Sequence, residues 1–288
     1  VAYTPGSTLG GLRVDLGTIP LGGVDSAGVA WALTKLEGWD SPDIWITHSR
    51  RMADHGAWAS PAYMQPRVLA PQGTIVAPSR AVLDGALDQF QAAVSLGDTL
   101  FVVYETTPKQ CIVRRSGKLL VERQTDRVAT YSALLTAADP RRYSTTLQSQ
   151  SAGLPQVTGG TALPWTLPLT IASGSQSGTL TLTNAGTTAT RPVLTITGPV
   201  TPPTAIVVQL SDGSVRQLTY SDALNSGDQL VIDCNAHTVM LNGTASRRRY
   251  LSGQWPEIPP GGSATIQWTS NGYSSAALLT GTCRSAWM

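Results

Sequence analysis

Cys234, Asn235 and His237 stand within four positions of one another, directly after Asp233, in the stretch GDQLVIDCNAHTVMLNG (227–243). Cysteine, histidine and asparagine are the residue types of a thiol-protease triad, in which a thiolate attacks a carbonyl, an imidazole moves the proton and an amide orients the ring. The local pattern speaks against that use. Pairing the stretch about a two-residue turn at Asn235-Ala236 sets Cys234 opposite His237, Ile232 opposite Val239 and Leu230 opposite Leu241. These six side chains then share one face, and burying the four aliphatic ones is worth at most ~6–12 kcal/mol. Asn235, in the turn, points elsewhere and cannot orient the imidazole. No helix N-terminus follows the cysteine to lower its pKa or build an oxyanion hole. The stretch reads as a hairpin.

Other candidates reduce in the same way. GSQSG (174–178) puts Gln176 where a nucleophile elbow needs its serine. His48 and His55 lie near Asp43 and Asp54 in irregular sequence, which suits solvated or interface histidines better than a metal site. Of the acidic residues in the second half, Asp212, Asp222, Asp228, Asp233 and Glu257, four flank turn signals, and no glycosidase pair stands out. Arg247, Arg248 and Arg249 form a short basic run, read as a solvated loop or subunit contact rather than a nucleic-acid patch. Cys111, Cys234 and Cys283 have neither disulfide nor zinc spacing and read as buried, reduced thiols. No catalytic, cofactor-binding or metal-ligating residue is therefore assigned, and no cofactor is expected.

The elements that carry these residues are mostly strands. The chain has 288 residues, 41% hydrophobic and only 13% charged, with abundant Gly, Pro, Thr and Ser, a balance that points to turn-rich, mainly β structure in two domains. A net charge of +2 gives no polyelectrolyte footprint and speaks against binding to nucleic acid by backbone neutralisation. No apolar run is long enough to span a membrane, and the start lacks the charged and apolar regions of a signal peptide, so none is expected.

Residues 1–150 hold 14 basic and 13 acidic groups, whereas 151–288 hold 6 and 5. The polar stretch TTLQSQSAGLPQVTGGTALP separates the halves, and 151–164 is read as a linker. In the first half one helix is expected at about 80–95, with Leu83, Leu87, Phe90 and Val94 on one stripe, Ser79 as N-cap and Gly97 as a left-handed stop. Strand patterns flank it at RVLAPQGTIV, DTLFVVYE, KQCIVRRS, KLLVERQT and ATYSALLTAAD. The stretch 39–66, rich in Trp, Arg and His, is expected to be a long irregular loop that contacts a partner or folds over its own core. Residues 165–288 show nine or ten short strand patterns, from WTLPLTI to AALLTGT, and read as a β-sandwich or jelly roll.

The ordered set LTLTNAGTTATRPVLTITGPVTPPT, SGDQLVIDCNAHTVMLNGTASRRRYL, IPPGGSATIQW and the closing CRSAWM resembles the siphophage distal tail proteins, often called minor tail proteins. HGAWASPAYMQPRVLAPQGTIVAP, the helix and LLTAADPRRYS agree with the N-terminal half of that family. The resemblance implies an N-terminal β-sandwich or split barrel with one helix, ring-forming and tail-tube-like, in 1–150, and a galectin-like sandwich in 165–288. It further implies a non-enzymatic part of the virion, assembled in the host bacterial cytoplasm into a hexameric ring of identical copies at the tail tip. Its partners would be the tail tube protein, the central tip or hub protein, receptor-binding proteins and the tape measure protein, with DNA only as passing cargo and no membrane insertion. Two rivals differ in kind. One is a carbohydrate-binding adhesin acting through the C-terminal sandwich, with Trp255, Trp268 or Tyr273 as the aromatic platform; the other is a cell-wall hydrolase.

Overall fold

A computed structural model describes residues 12–94, 96–158, 174–176 and 178–288. Among these the chain is mainly β with one α-helix and a single short 3-10 turn. It forms two compact units, the first ending at Thr145 and the second running from Thr146 to Trp287.

The first unit is organised by the ten-residue strand Arg67–Val76, which alternates buried and more exposed side chains along its length. Ala30–Glu37 pairs along one edge of it. Val128–Ser132 and Leu135–Ala137 share the other edge, in the same register but with a gap. The gap falls at Pro71, which has no N–H to give to a ladder, and the strand is thereby shared between two sheet segments. Beyond Leu135–Ala137 the order continues through Lys109–Arg115, Thr99–Tyr104, Arg13–Leu16 and Ile19–Leu21, while Leu120–Arg123 closes the opposite end beside Val128–Ser132.

The helix Arg80–Ala93 buries Leu83, Ala86, Leu87 and Phe90, and Val94 is buried just beyond it. Phe90 is edge-on to Tyr131 at 5.0 Å and tilted against Trp31 at 5.8 Å, so the stripe read from the sequence is the face that covers the sheet. Ser79 caps the start by accepting from the Val82 N–H at 3.4 Å. The end differs from expectation. Gly97 is not among the residues with positive φ, and the Thr99 hydroxyl instead donates to the Ala93 carbonyl at 2.8 Å. A side-chain donor satisfies the terminal carbonyl, so no left-handed glycine is needed.

The second unit is a two-sheet antiparallel sandwich. One sheet runs Gln148–Gly153, Leu278–Cys283, Val193–Thr197, Gln229–Asp233, Thr238–Leu241, Ala245–Ser246; the other runs Thr179–Thr183, Ser263–Ser270, Thr204–Leu210, Val215–Tyr220, Leu251–Gly253. Their inward faces meet around Leu182, Leu194, Ile206, Ile232, Ile266 and Trp268, all fully buried.

The linker reading of 151–164 needs correction where it can be seen. Gln148–Gly153 is a strand registered against Leu278–Cys283, and Gln156–Thr158 pairs with Gly174–Gln176. Its Ser/Gln composition hid it, because an edge strand is held by backbone ladder bonds and needs few apolar side chains. Residues 159–164, and the strand expected over WTLPLTI, lie outside the described residues.

Candidate interaction site

The stretch 39–66 is not an irregular loop. It is a two-stage β-hairpin growing out of the paired strands Ala30–Glu37 and Arg67–Val76. Near the base Ile44 pairs with Met64 and Trp45 with Tyr63; farther out His48 pairs with Ala59, Ser49 with Trp58 and Arg50 with Ala57. The register slips by one residue between the two ladders, on the returning strand near Pro61, where a proline interrupts donation.

Pairing decides which side chains share a face. Trp45 lies opposite Tyr63 and two steps from Thr47, which is bonded to Ser60 in both directions at 2.9 Å; two steps further, Ser49 lies opposite Trp58. Trp45, Trp58 and Tyr63 therefore occupy one face of the arm, and Ile44, Ile46 and Met64 share the other with His48 and Arg50. Apart from the half-buried Arg51 and Met64, every residue from 43 to 66 is exposed. Trp45 is 62% exposed, Trp58 66% and Tyr63 62%. The Arg51 guanidinium sits 4.5 Å over the Trp58 ring and bonds Asp54 at 3.3 Å, which stiffens the tip without covering the tryptophan.

The base, by contrast, is locked. Arg67, fully buried, donates from Nη1 to the carbonyls of Gly38 (2.9 Å) and Trp39 (2.6 Å) and from Nε to that of Pro140 (2.9 Å). It makes no salt bridge with any described carboxylate. Burial, and next the charge of Arg142, push its pKa below the ordinary arginine value. One side chain thus clasps both stems of the arm. Gly38 has φ +81°, and a Cβ there would fall 1.8 Å from the Val68 carbonyl oxygen, so only glycine lets the stems approach this closely. Trp39 anchors the other side: its ring is buried against Phe101 at 5.9 Å and its Nε1 donates to Glu105 at 2.5 Å. Burial pushes the Glu105 carboxyl up, but the hydrogen bonds from Lys109 and Trp39 and the charges of Lys109 and Arg142 outweigh it and hold the pKa below its usual value.

The hairpin that carries the thiol proves inert. Leu230 pairs with Leu241 and Ile232 with Val239 as expected, and the ladder ends at Asp233 and Thr238. The expected opposition of Cys234 and His237 does not occur. The turn spans 234–237, with His237 left-handed at φ 55°, which swings its imidazole out of the core face and onto Trp255, stacked at 4.8 Å. The aspartate takes the turn instead: its carboxylate accepts from the N–H groups of Asn235 (2.7 Å) and Ala236 (2.9 Å). Cys234 stays wholly buried, with its thiol pushed up to about 12 by burial and then by the Asp233 charge. A thiol so placed is no nucleophile.

The remaining candidates fall apart spatially. Gly174–Gln176 is a strand, not an elbow. His48 and His55 are exposed on the arm, and no group of three potential metal ligands occurs among the described residues. Each arginine of the basic run is tied to an aromatic ring: Arg247 and Arg249 to Tyr250, Arg248 to Trp255. Trp268 is core, donating to the carbonyls of Ala152 and Gly153, whereas Trp255 is half-buried and Tyr273 exposed.

Residues 185–277 match the family described as "Siphovirus-type tail component, C-terminal domain". No curated protein sequence matches the chain. Among solved structures, the Dit protein of phage SPP1, described as a paradigm of the hub adsorption apparatus in phages infecting Gram-positive bacteria, aligns with a TM-score of 0.62 at 10% identity, over 96% of this chain and 99% of that one. A chain of the phage P2 baseplate in its activated, calcium-bound conformation aligns over 91% of this chain and 99% of its own at 8% identity, with a looser TM-score of 0.47. Residues 185–277 are thus similar to the siphovirus-type tail component C-terminal domain, and the fold of the chain is like that of SPP1 Dit over 96% of its length.

Proposed function

We propose that this chain is the distal tail protein of a siphovirus: six copies close into a ring at the end of the tail tube, joining the tube to the central tip protein and leaving a lumen for DNA. The first unit forms the ring, and the second faces outward as a platform for receptor-binding components. The tape measure protein would end at this collar. Cyclic closure needs two different surfaces on each subunit. The arm is one of them, and it carries the proposal: three aromatic rings held in water on a hairpin whose base is rigidly clasped. A surface of that kind contributes nothing to the isolated fold and suits a protein partner. The near-balance of charge in 1–150, 14 basic against 13 acidic groups, is compatible with a lumen along which DNA slides. The buried thiols and the dispersed histidines agree with a part that works by shape rather than turnover.

The test combines the mass of the purified protein in solution with images of virions carrying a labelled copy. A closed oligomer, and label confined to the junction below the tube, are the expected results. In Trp45→Ser/Trp58→Ser the oligomer should be lost while the monomer melts as before. Label distributed along the shaft, or an oligomer indifferent to both tryptophans, would overturn the assignment.

A further inference from the structure

Leu120–Arg123 ends the sheet of the first unit: Val128–Ser132 pairs with one side of it, and no strand among the described residues pairs with the other. The phase of its ladder is fixed. The Gln124 N–H donates to the Val128 carbonyl at 2.9 Å, and the Glu122 carbonyl accepts from the Thr130 hydroxyl at 3.4 Å. Backbone groups alternate sides along a strand, so Glu122 and Gln124 direct theirs inward. The N–H and C=O of Val121 and Arg123 therefore point away from the sheet, and no described residue bonds to them.

A groove runs beside that open edge. Two hollows of about 640 and 660 Å³ adjoin there, with Gln91 and Val121 common to both. The helix Arg80–Ala93 contributes Asp84, Leu87, Asp88 and Gln91, spaced as one helical stripe. The edge contributes Leu119, Val121 and Arg123, alternate residues and hence one face. Arg123 is bonded to Asp84, which joins strand to helix at one end. Leu119 and Val121 are partly buried against the core, and Leu96, 83% exposed, lies in the second hollow with Arg115 and Lys118.

Charge on an edge strand ordinarily guards it. Here the face turned to the helix is apolar at Leu119 and Val121, and its one charge, Arg123, is neutralised by Asp84. Three charges of the groove take part in no ion pair among the described residues: Arg115 and Lys118 in one hollow and Asp88 in the other. Pairing with the same strand of a second copy would bring Arg123 beside Lys118 across the new ladder, like charge against like. We propose that this edge takes up an extended segment of a different protein as an added strand. Antiparallel to Leu120–Arg123, the segment runs toward Lys118. Its fitting sequence alternates: a basic residue toward the N-terminal end for Asp88, an apolar residue beside Val121, and a carboxylate at the C-terminal end for Arg115 and Lys118. The proposal goes beyond the ring and does not depend on its closure.

The test presents the full-length protein to an array of heptapeptides, T-x-T-x-T-x-T, with lysine, valine or glutamate at each variable position. Saturable binding is expected, tightest with lysine first and glutamate last, together with slowed hydrogen exchange at the Val121 and Arg123 amides. Lys118→Glu should weaken the glutamate-ended peptide about tenfold, the effect of losing one charge-assisted hydrogen bond. Val121→Pro removes an outward N–H while sparing the ladder to Val128–Ser132, and should weaken every peptide about tenfold or more. Val121→Thr keeps the N–H and the shape and should bind as before. Unaltered thermal transitions would show that the variants fold. No saturable binding, binding that leaves both amides unprotected, or equal affinity for the reversed charge order would each sink the proposal. Protection that rises with protein concentration alone would assign the edge to a second copy and overturn it equally. The ring assignment would in every case still rest on the mass measurement.

Discussion

Arg67→Met tests whether one side chain holds the arm at its base. Methionine roughly fills the stem volume of arginine but can donate nothing. The substitution strands three carbonyls. That of Trp39 is accepted in a buried setting, and those of Gly38 and Pro140 are partly buried, where water can reach them. An unsatisfied buried acceptor costs ~1–3 kcal/mol, and each lost bond that water can replace costs ~0.5–1.5 kcal/mol. The sum is ~2–6 kcal/mol. Against it stands relief from burying a guanidinium that has no carboxylate partner and lies near Arg142. The expected net loss is therefore ~2–4 kcal/mol, read from urea denaturation followed by tryptophan fluorescence. Arg67→Lys keeps the charge without the planar fork and should fall between. Hydrogen exchange adds a local reading, since amides of 38–42 should open in Arg67→Met more than those of the helix. An unchanged or raised midpoint in the methionine variant would mean that the desolvated charge outweighs its three bonds, and the clasp would be refuted.

The other perturbations follow from burial and charge. Burial pushes Cys111 and Cys234 up to about 12 and Cys283 to about 11, so none of the thiols should react with a disulfide reagent at pH 8 until urea unfolds the chain. Rapid labelling of the native protein would contradict this. The folded pKa of Glu105 lies below its unfolded value of ~4.3, so its stabilisation is complete above that pH and is lost as pH falls through the folded value. Glu105→Gln should flatten the acid limb of a stability-versus-pH curve and leave its alkaline side in place; an acid limb that survives the substitution would assign the effect to other carboxylates.

What could be read from sequence was whatever repeats along the chain. The helix stripe at Leu83, Leu87, Phe90 and Val94 and the strand alternation of RVLAPQGTIV are local periodicities, and both elements formed there. Residues 39–66 lack such a signal because neither face of the arm is buried, so no alternation of apolar and polar residues is required of it. The ladder is set by backbone pairing and by the two strands that launch it. Gln148–Gly153 was missed for the same reason, being polar and at an edge. The Cys234–His237 hairpin shows a different limit. Counting residues gave the right partners for Leu230 and Ile232, but a left-handed residue in a four-residue turn cannot be counted, and it sent His237 to the opposite side from Cys234.

The arm's geometry also constrains how copies would associate. A buried aromatic side chain removes 150–250 Å² from water, so covering the remaining two-thirds of Trp45, Trp58 and Tyr63 is worth ~3 kcal/mol each and at most ~9 kcal/mol together. Association costs an estimated 4–15 kcal/mol in lost translational and rotational freedom alone. One docked arm is therefore marginal as the basis of a dimer. In a ring each subunit gives one arm contact and receives another, and the contact that closes the circle forms within an assembly already held together, at high effective concentration. The free energy of closure thus exceeds that of any open chain of the same subunits by one whole interface. With the arm as the docking element, a concentration series should pass from monomer to closed oligomer with dimers and trimers scarcely populated. A ladder of open intermediates would instead require an interface strong enough to hold pairs by itself, which the exposed surface of this arm does not supply.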